Sequence, residues 1–257
     1  MVGHVNRTWV LWAVLAAGNV LNASIVVTPK ADFQQTYALN PNGRVVIQNL
    51  YGDVRITTWD RDEVLVQAIK RSRDPKQLDD AHIVVDSSSG LVSIHTQYAG
   101  ADAEHPASVE YRITVPRNAN LENVKLVNGG LSISGLEGSI KATSINGSIK
   151  AERLGGQADL STVNGHLEAD FNRVSRTTSI SLSSVNGPIR LSLPKDIGAQ
   201  LFAHNLSGGI ESNIGRVLRV SGGNRLRTTL NRGGAQIHVN NVNGGILIQS
   251  LLSRVIS

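Results

Sequence analysis

From residue 129 the chain repeats a short pattern of apolar and polar positions. Gly129, Gly138, Gly147, Gly156 and Gly165 lie nine residues apart. The segments they open are GGLSISGLE, GSIKATSIN, GSIKAERLG, GQADLSTVN and GHLEADF. All share the form G-x-φ-x-φ-x-x-φ-x, with φ apolar. The third position holds Leu131, Ile140, Ile149, Ala158 and Leu167, and the fifth holds Ile133, Ala142, Ala151, Leu160 and Ala169. Alternation at these two positions is the period of a strand with one face in and one face out. The eighth position is apolar again, at Leu136, Ile145, Leu154 and Val163. Each unit therefore predicts one short strand followed by one corner, with the glycine and its predecessor in the turn. The same form appears earlier from Gly43 and Gly52, in GRVVIQNLY and GDVRITTWD.

A longer period lies over the first. Asn-Gly recurs at Asn128, Asn146 and Asn164, eighteen residues apart, then at Asn186 after 22 residues and at Asn243 near the end. Internal repetition of this kind is the signature of a solenoid. We expect an all-β, parallel β-helix-like solenoid with one coil per eighteen residues and coils stacked at about 4.8 Å. The alternative is an antiparallel meander or sandwich, because Asn-Gly is also a strong hairpin signal. On the solenoid reading, Phe171 to Thr178 is an insertion bulging from the stack. Lys141 would stand beside Asp159, and Lys150 beside Glu168, each pair being eighteen apart at the outward fourth position. The rhythm is lost across residues 70–107, where Ala81–Val85 and Leu91–Gln97, followed by Val109–Val115, still have strand character.

Composition narrows the class. Aromatic residues make up 4% against 40% hydrophobic overall, so the core must be aliphatic, and 25 glycines against 7 prolines indicate many tight turns. There is no cysteine, which excludes disulfides, thiolate metal sites and a cysteine nucleophile. Residues 1–23 read as a secretory signal peptide: Arg7, an apolar run from Trp9 to Ala17, and Ala23 before the cleavage point. The mature chain, 24–257, is expected to be one domain exported to the periplasm, the cell surface or the medium.

The net charge of +5 is compatible with an anionic partner. Nucleic acid is not expected, because base-stacking aromatics are scarce and no nucleic-acid-binding motif occurs. No acidic residue follows Glu211, whereas Arg216, Arg219, Arg225, Arg227, Arg232 and Arg254 do. Arginine grips phosphate or carboxylate with two parallel hydrogen bonds. The first five of these are therefore the candidate patch for an anionic envelope glycan or lipid headgroup, with another envelope protein as the other candidate partner. The column Asn128, Asn146, Asn164, Asn186 and Asn243 reads as a structural turn ladder. Calcium is not expected at the turns, because the sixth position holds Ser134, Thr143, Glu152 and Ser161 where a calcium-binding roll has aspartate. His82, His95, His105, His166, His204 and His238 are scattered without metal-ligand spacing. Neither a metal nor a cofactor is expected. For glycan cleavage the candidates are Asp159, Glu168 and Asp170, with His166 and Arg173 nearby. Their outward repeat positions account for most of them as solvated charges, so no catalytic residue is assigned.

The segments GDVRITTWDRDEVLVQAIKRS and VEYRITVPRNANL, with the repeated VNG and SG turns, resemble the bacterial putative-adhesin domains of unknown function. They are also similar to the head domains of autotransporter adhesins. The resemblance spans roughly residues 40–250. It implies a β-helical exported protein and carries over no catalytic or ligand residue. The functional expectation is a non-enzymatic, adhesin-like binding or structural protein of the cell envelope. The alternatives are a polysaccharide-active β-helix enzyme and a periplasmic component of envelope sensing.

Overall fold

The computed structural model describes residues 30–99, 106–214, 218–220 and 224–251. The segment 1–23 lies outside them. The chain is all-β, in two large sheets. Its elements are β1 (Lys30–Ala38), β2 (Arg44–Tyr51), β3 (Val54–Trp59), β4 (Glu63–Arg71), α1 (Pro75–Asp80), β5 (Ala81–Ser88), β6 (Leu91–Tyr98), β7 (Ser108–Pro116), β8 (Asn120–Asn128), β9 (Leu131–Ser134) and β10 (Ile140–Asn146). There follow β11 (Ile149–Leu154), β12 (Ala158–Asn164), β13 (Leu167–Phe171), β14 (Ser179–Asn186), β15 (Ile189–Leu193), β16 (Ala199–Ser207), β17 (Ile210–Ser212), β18 (Leu218–Val220), β19 (Arg225–Leu230), β20 (Ala235–Asn243) and β21 (Ile246–Ser250).

From β8 to β17 successive strands alternate between the two sheets. The larger runs β1-β4-β7-β3-β9-β11-β13-β15-β21-β17-β18, and the smaller runs β19-β16-β20-β14-β12-β10-β8-β2-β6-β5. The central pairings are parallel and follow the repeat. Ile140 pairs with Ala158, eighteen residues on, and Ile149 with Leu167. The two sheets share one apolar core, into which the third and fifth positions point. Leu131, Ile140, Ile149, Leu160 and Leu167 are all buried.

The eighth position behaves differently at the two corners. Leu136 and Leu154 are buried, but Ile145 and Val163 face outward. The cause is backbone parity. At one corner the seventh residue is left-handed, Gly135 at φ 84° and Arg153 at φ 54°, so the alternation skips a beat and the eighth side chain turns in. At the Asn-Gly corner the chain stays extended, the seventh residue points in and the eighth points out. That inward residue is polar and caps corner carbonyls. Ser144 donates to the Gly129 carbonyl at 3.1 Å and Thr162 to that of Gly147 at 2.9 Å. Asn49, Asn205 and Asn241 donate in the same way to Gly52, Gly244 and Gly187.

Strand order within the sheets departs from chain order at both ends. β20 and β21 insert between β14–β15 and β16–β17, so Asn243 stands next to Asn186. At the other end β6 and β7 lie outside β2 and β3 although they come later in the chain. The stretch that lost the rhythm holds α1, β5 and β6. Asp74 caps α1 by accepting from the Lys76 amide, and Pro75 opens its first turn. Phe171 is fully buried at the end of β13, so the insertion begins after it. In register it stands beside Leu154, the buried eighth residue of an earlier unit.

Candidate functional site

The outward faces of the two sheets carry different chemistry. Across the larger sheet one row in register holds Lys150, Glu168, Arg190, Leu247 and Glu211. Lys150 is beside Glu168 in register, but its ammonium bonds Glu152 at 2.8 Å instead. That hydrogen bond raises the Lys150 pKa above its ordinary value, with Glu168 and Asp170 adding to the effect. Across the smaller sheet, Lys141 and Asp159 meet at 3.7 Å.

Of the residues considered for glycan cleavage, Glu168 and Asp170 share β13, whereas Asp159 is on β12. Asp159 is on the smaller sheet and Glu168 on the larger. His166 and Glu168 line one depression with Arg190 and Glu211. Arg173 is bound to Glu137 at 2.8 Å. Among the described residues no group of three or more histidine or acidic side chains gathers to hold a metal.

The Asn column forms a chain of side-chain amides. Asn146 donates to Asn128 at 3.0 Å, and Asn164 to Asn146, Asn186 to Asn164 and Asn243 to Asn186 at 2.9 Å each. Asn146, Asn164 and Asn186 each both donate and accept, so the column runs along the corner as one hydrogen-bonded line. Asn164→Ala removes one bond of each kind at an exposed site and is expected to cost about 1 kcal/mol in urea denaturation. No change in midpoint would show the line to be energetically idle.

The arginines after Glu211 do not share one face. Arg216 and Arg254 lie outside the described residues, and Arg219 is on β18, at the edge of the larger sheet. Arg225 and Arg227 are exposed on β19, at the edge of the smaller sheet. Arg232, just beyond β19, lines a depression with Arg173 and Arg176. The likeness of their spacing in the sequence therefore conceals three locations.

The β19 pair has neighbours that the sequence did not single out. The Arg227 guanidinium lies 4.9 Å from the Phe202 ring centre, and Phe202 stacks on His238 with centroids 5.0 Å apart and planes 6° from parallel. Arg225 is the cross-strand partner of His204. Cross-strand partners project to the same face. The result is a surface cluster of two guanidiniums, two imidazoles and one phenyl ring, its arginine stacking on an aromatic face as guanidinium does. No linear signal marks it, because it needs the register of β19 against β16 and of β16 against β20.

The model of the Toastrack DUF4097 family matches residues 45–249 of the chain. The chain belongs to this family. The match takes in every Toastrack strand from β3 to β20, including the β16, β19 and β20 segments that build the cluster. Two solved structures are similar over most of the chain. One is a putative cell adhesion protein from Clostridium sporogenes, 14% identical, covering 86% of this chain and 100% of that one with a TM-score of 0.49. The other is a putative adhesin from Bacteroides fragilis, 13% identical, covering 86% and 97% with a TM-score of 0.33. No curated protein sequence matches the chain. Among the described residues of this Toastrack chain no helix is long and apolar enough to cross a membrane.

Proposed function

We propose that this protein is an exported, non-enzymatic, adhesin-like protein of the cell envelope that holds an anionic envelope polymer on the β19 end of its smaller sheet. The observation that carries the reading is the cluster of Arg225 and Arg227 with Phe202, His204 and His238. It joins charge, bidentate hydrogen-bond donors and an aromatic face. Phosphate and uronate groups are met by the first two, and a sugar ring by the third. We read the two sheets as walls of one β-solenoid with a coil of eighteen residues. The alternation of strands between sheets supports this, as does the parallel register at that spacing. Such a stack brings residues distant in sequence onto one continuous face.

Retention on immobilised polyphosphate and polygalacturonate tests the reading. Binding by the wild-type protein is expected to weaken steeply with salt, because surface charges are screened over about 8 Å at physiological ionic strength. Arg225→Ser with Arg227→Ser is expected to lower binding at least tenfold while leaving the melting temperature nearly unchanged. Binding indifferent to salt and to this substitution would remove the cluster from the function. Release of reducing ends from the glycan would favour an enzyme instead.

A further inference from the structure

Five large aliphatic side chains are exposed among the described residues: Leu50, Ile145, Val163, Val185 and Leu206, the last at 60%. All five lie two residues before a glycine that closes a strand of the smaller sheet: Gly52, Gly147, Gly165, Gly187 or Gly208. Register places Val127 and Val242 in the same row. The row thus runs Leu50, Val127, Ile145, Val163, Val185, Val242, Leu206 across seven adjacent strands. Single exposed aliphatics are ordinary, but a contiguous line of them marks a binding surface.

Over β12, β14, β20 and β16 the row becomes one wall of a trough of about 440 Å³. Its floor is the sixth-position row of small or polar residues, Ser161, Ser183, Asn240 and His204. Much of the hydroxyl capacity along it is already used within the protein. Thr143 and Ser161 bond each other at 3.0 Å, and Thr162 and Ser184 bond corner carbonyls. A peptide or glycan laid against the valine wall would lose hydrogen bonds to water that this wall cannot return. An alkyl chain has none to lose. Four strands at about 4.8 Å give a trough about 14 Å long. This equals the length of one acyl chain, about 15 Å, half the hydrocarbon thickness of a bilayer. The trough ends at His204, whose neighbour on the next strand is Arg225. At the other end the row passes from Thr143 to a single cation, Lys125 on β8, so the pair of guanidiniums is at the His204 end only.

We propose that the trough binds the alkyl chain of a single-chain anionic amphiphile, with its phosphate or carboxylate held at His204, Arg225 and Arg227. The headgroup half rests on the polyanion reading above; the chain half does not. The occupant is one lipid chain lying along the sheet, not a second copy of the protein and not a bilayer surface.

The test is a titration of the purified protein with hexyl, octyl, decyl and dodecyl phosphate below micelle formation, and with inorganic phosphate. Affinity is expected to rise about twofold per methylene, roughly half of the factor for full burial of each. Dodecyl phosphate should thus bind at least tenfold more tightly than hexyl phosphate, at one per protein. Val185→Asn with Leu206→Asn is expected to abolish the chain-length dependence and to leave polyphosphate retention intact. Arg225→Ser with Arg227→Ser should weaken every alkyl phosphate by a similar factor. The wild-type chain-length series needs no variant to fold. Affinity independent of chain length, with polyphosphate retention preserved, would overturn the trough and leave the polyanion reading standing. Loss of both would overturn both. Two further results would overturn the assignment in favour of another occupant. One is flotation with anionic phospholipid vesicles without binding of monomeric dodecyl phosphate. The other is a dimer in sedimentation velocity that the Val185 and Leu206 variant converts to monomer.

Discussion

Ile149→Asp is expected to destabilise the protein by about 4 kcal/mol or more, enough to unfold a domain of ordinary stability. Ile149 is 1% exposed and sits between Leu131 and Leu167 in the parallel ladder. Its neighbours on the inward face are apolar, so a carboxylate there has neither water nor a cation. It must either stay charged in the core or take up a proton far above its ordinary pKa, and both are costly. The comparison is Lys150→Asp, which installs the same carboxylate one residue along on the outward face. It removes the bond to Glu152 and adds a like charge near Glu168, but water screens the repulsion. Its loss should be a small fraction of that at Ile149. Thermal and urea denaturation of both variants decide the matter, and equal losses would reverse the assignment of inside and outside.

Gly147→Ala is the second large effect, about 2–3 kcal/mol of destabilisation from overpacking. A Cβ at Gly147 would lie 1.9 Å from the Gly129 carbonyl oxygen and 2.5 Å from its carbon. Both atoms are backbone of the neighbouring corner and cannot swing away. The same collision recurs along the corner, Gly165 against Gly147 and Gly187 against Gly165. These glycines fix how closely successive corners approach. Gly245→Ala, on the adjoining residue of a later corner, meets nothing within 4 Å. It should be neutral, or stabilising by up to about 1 kcal/mol through a less flexible unfolded chain. Calorimetry on the two variants separates a packing requirement from a general preference for glycine in turns. Similar melting temperatures would leave the glycine column without a steric cause.

The corner also explains why a pattern of eighth-position apolar residues carries two meanings. Leu136 and Leu154 are core, whereas Ile145 and Val163 are exposed, Val163 in the wall of the surface trough. In sequence the two sets look alike. A left-handed seventh residue separates them, and Arg153 adopts that conformation without being glycine. The polar seventh residues Ser144 and Thr162 were the available signal. A hydroxyl that can cap a corner carbonyl keeps the strand extended and sends the next side chain outward.

The sequence by itself determined the local unit. Alternation of apolar residues specifies which face of each strand is buried, and glycine spacing specifies where the chain must turn, because both are properties of a few neighbouring residues. The eighteen-residue recurrence went further and placed Ile140 beside Ala158 and Asn146 beside Asn164, since a regular repeat converts sequence distance into strand register. Where regularity ended, only the tertiary structure could decide. It inserted β20 and β21 ahead of β16 and β17, returned β19 to the edge of the smaller sheet, and sent β18, which carries Arg219, to the other sheet. The strands involved have similar apolar patterns and could each pair at the same sheet position. Which one does so depends on loop reach and on the fit of whole strands, and these are sums over residues far apart in the chain. The cluster of Phe202, His204, Arg225, Arg227 and His238 exists only because of that choice.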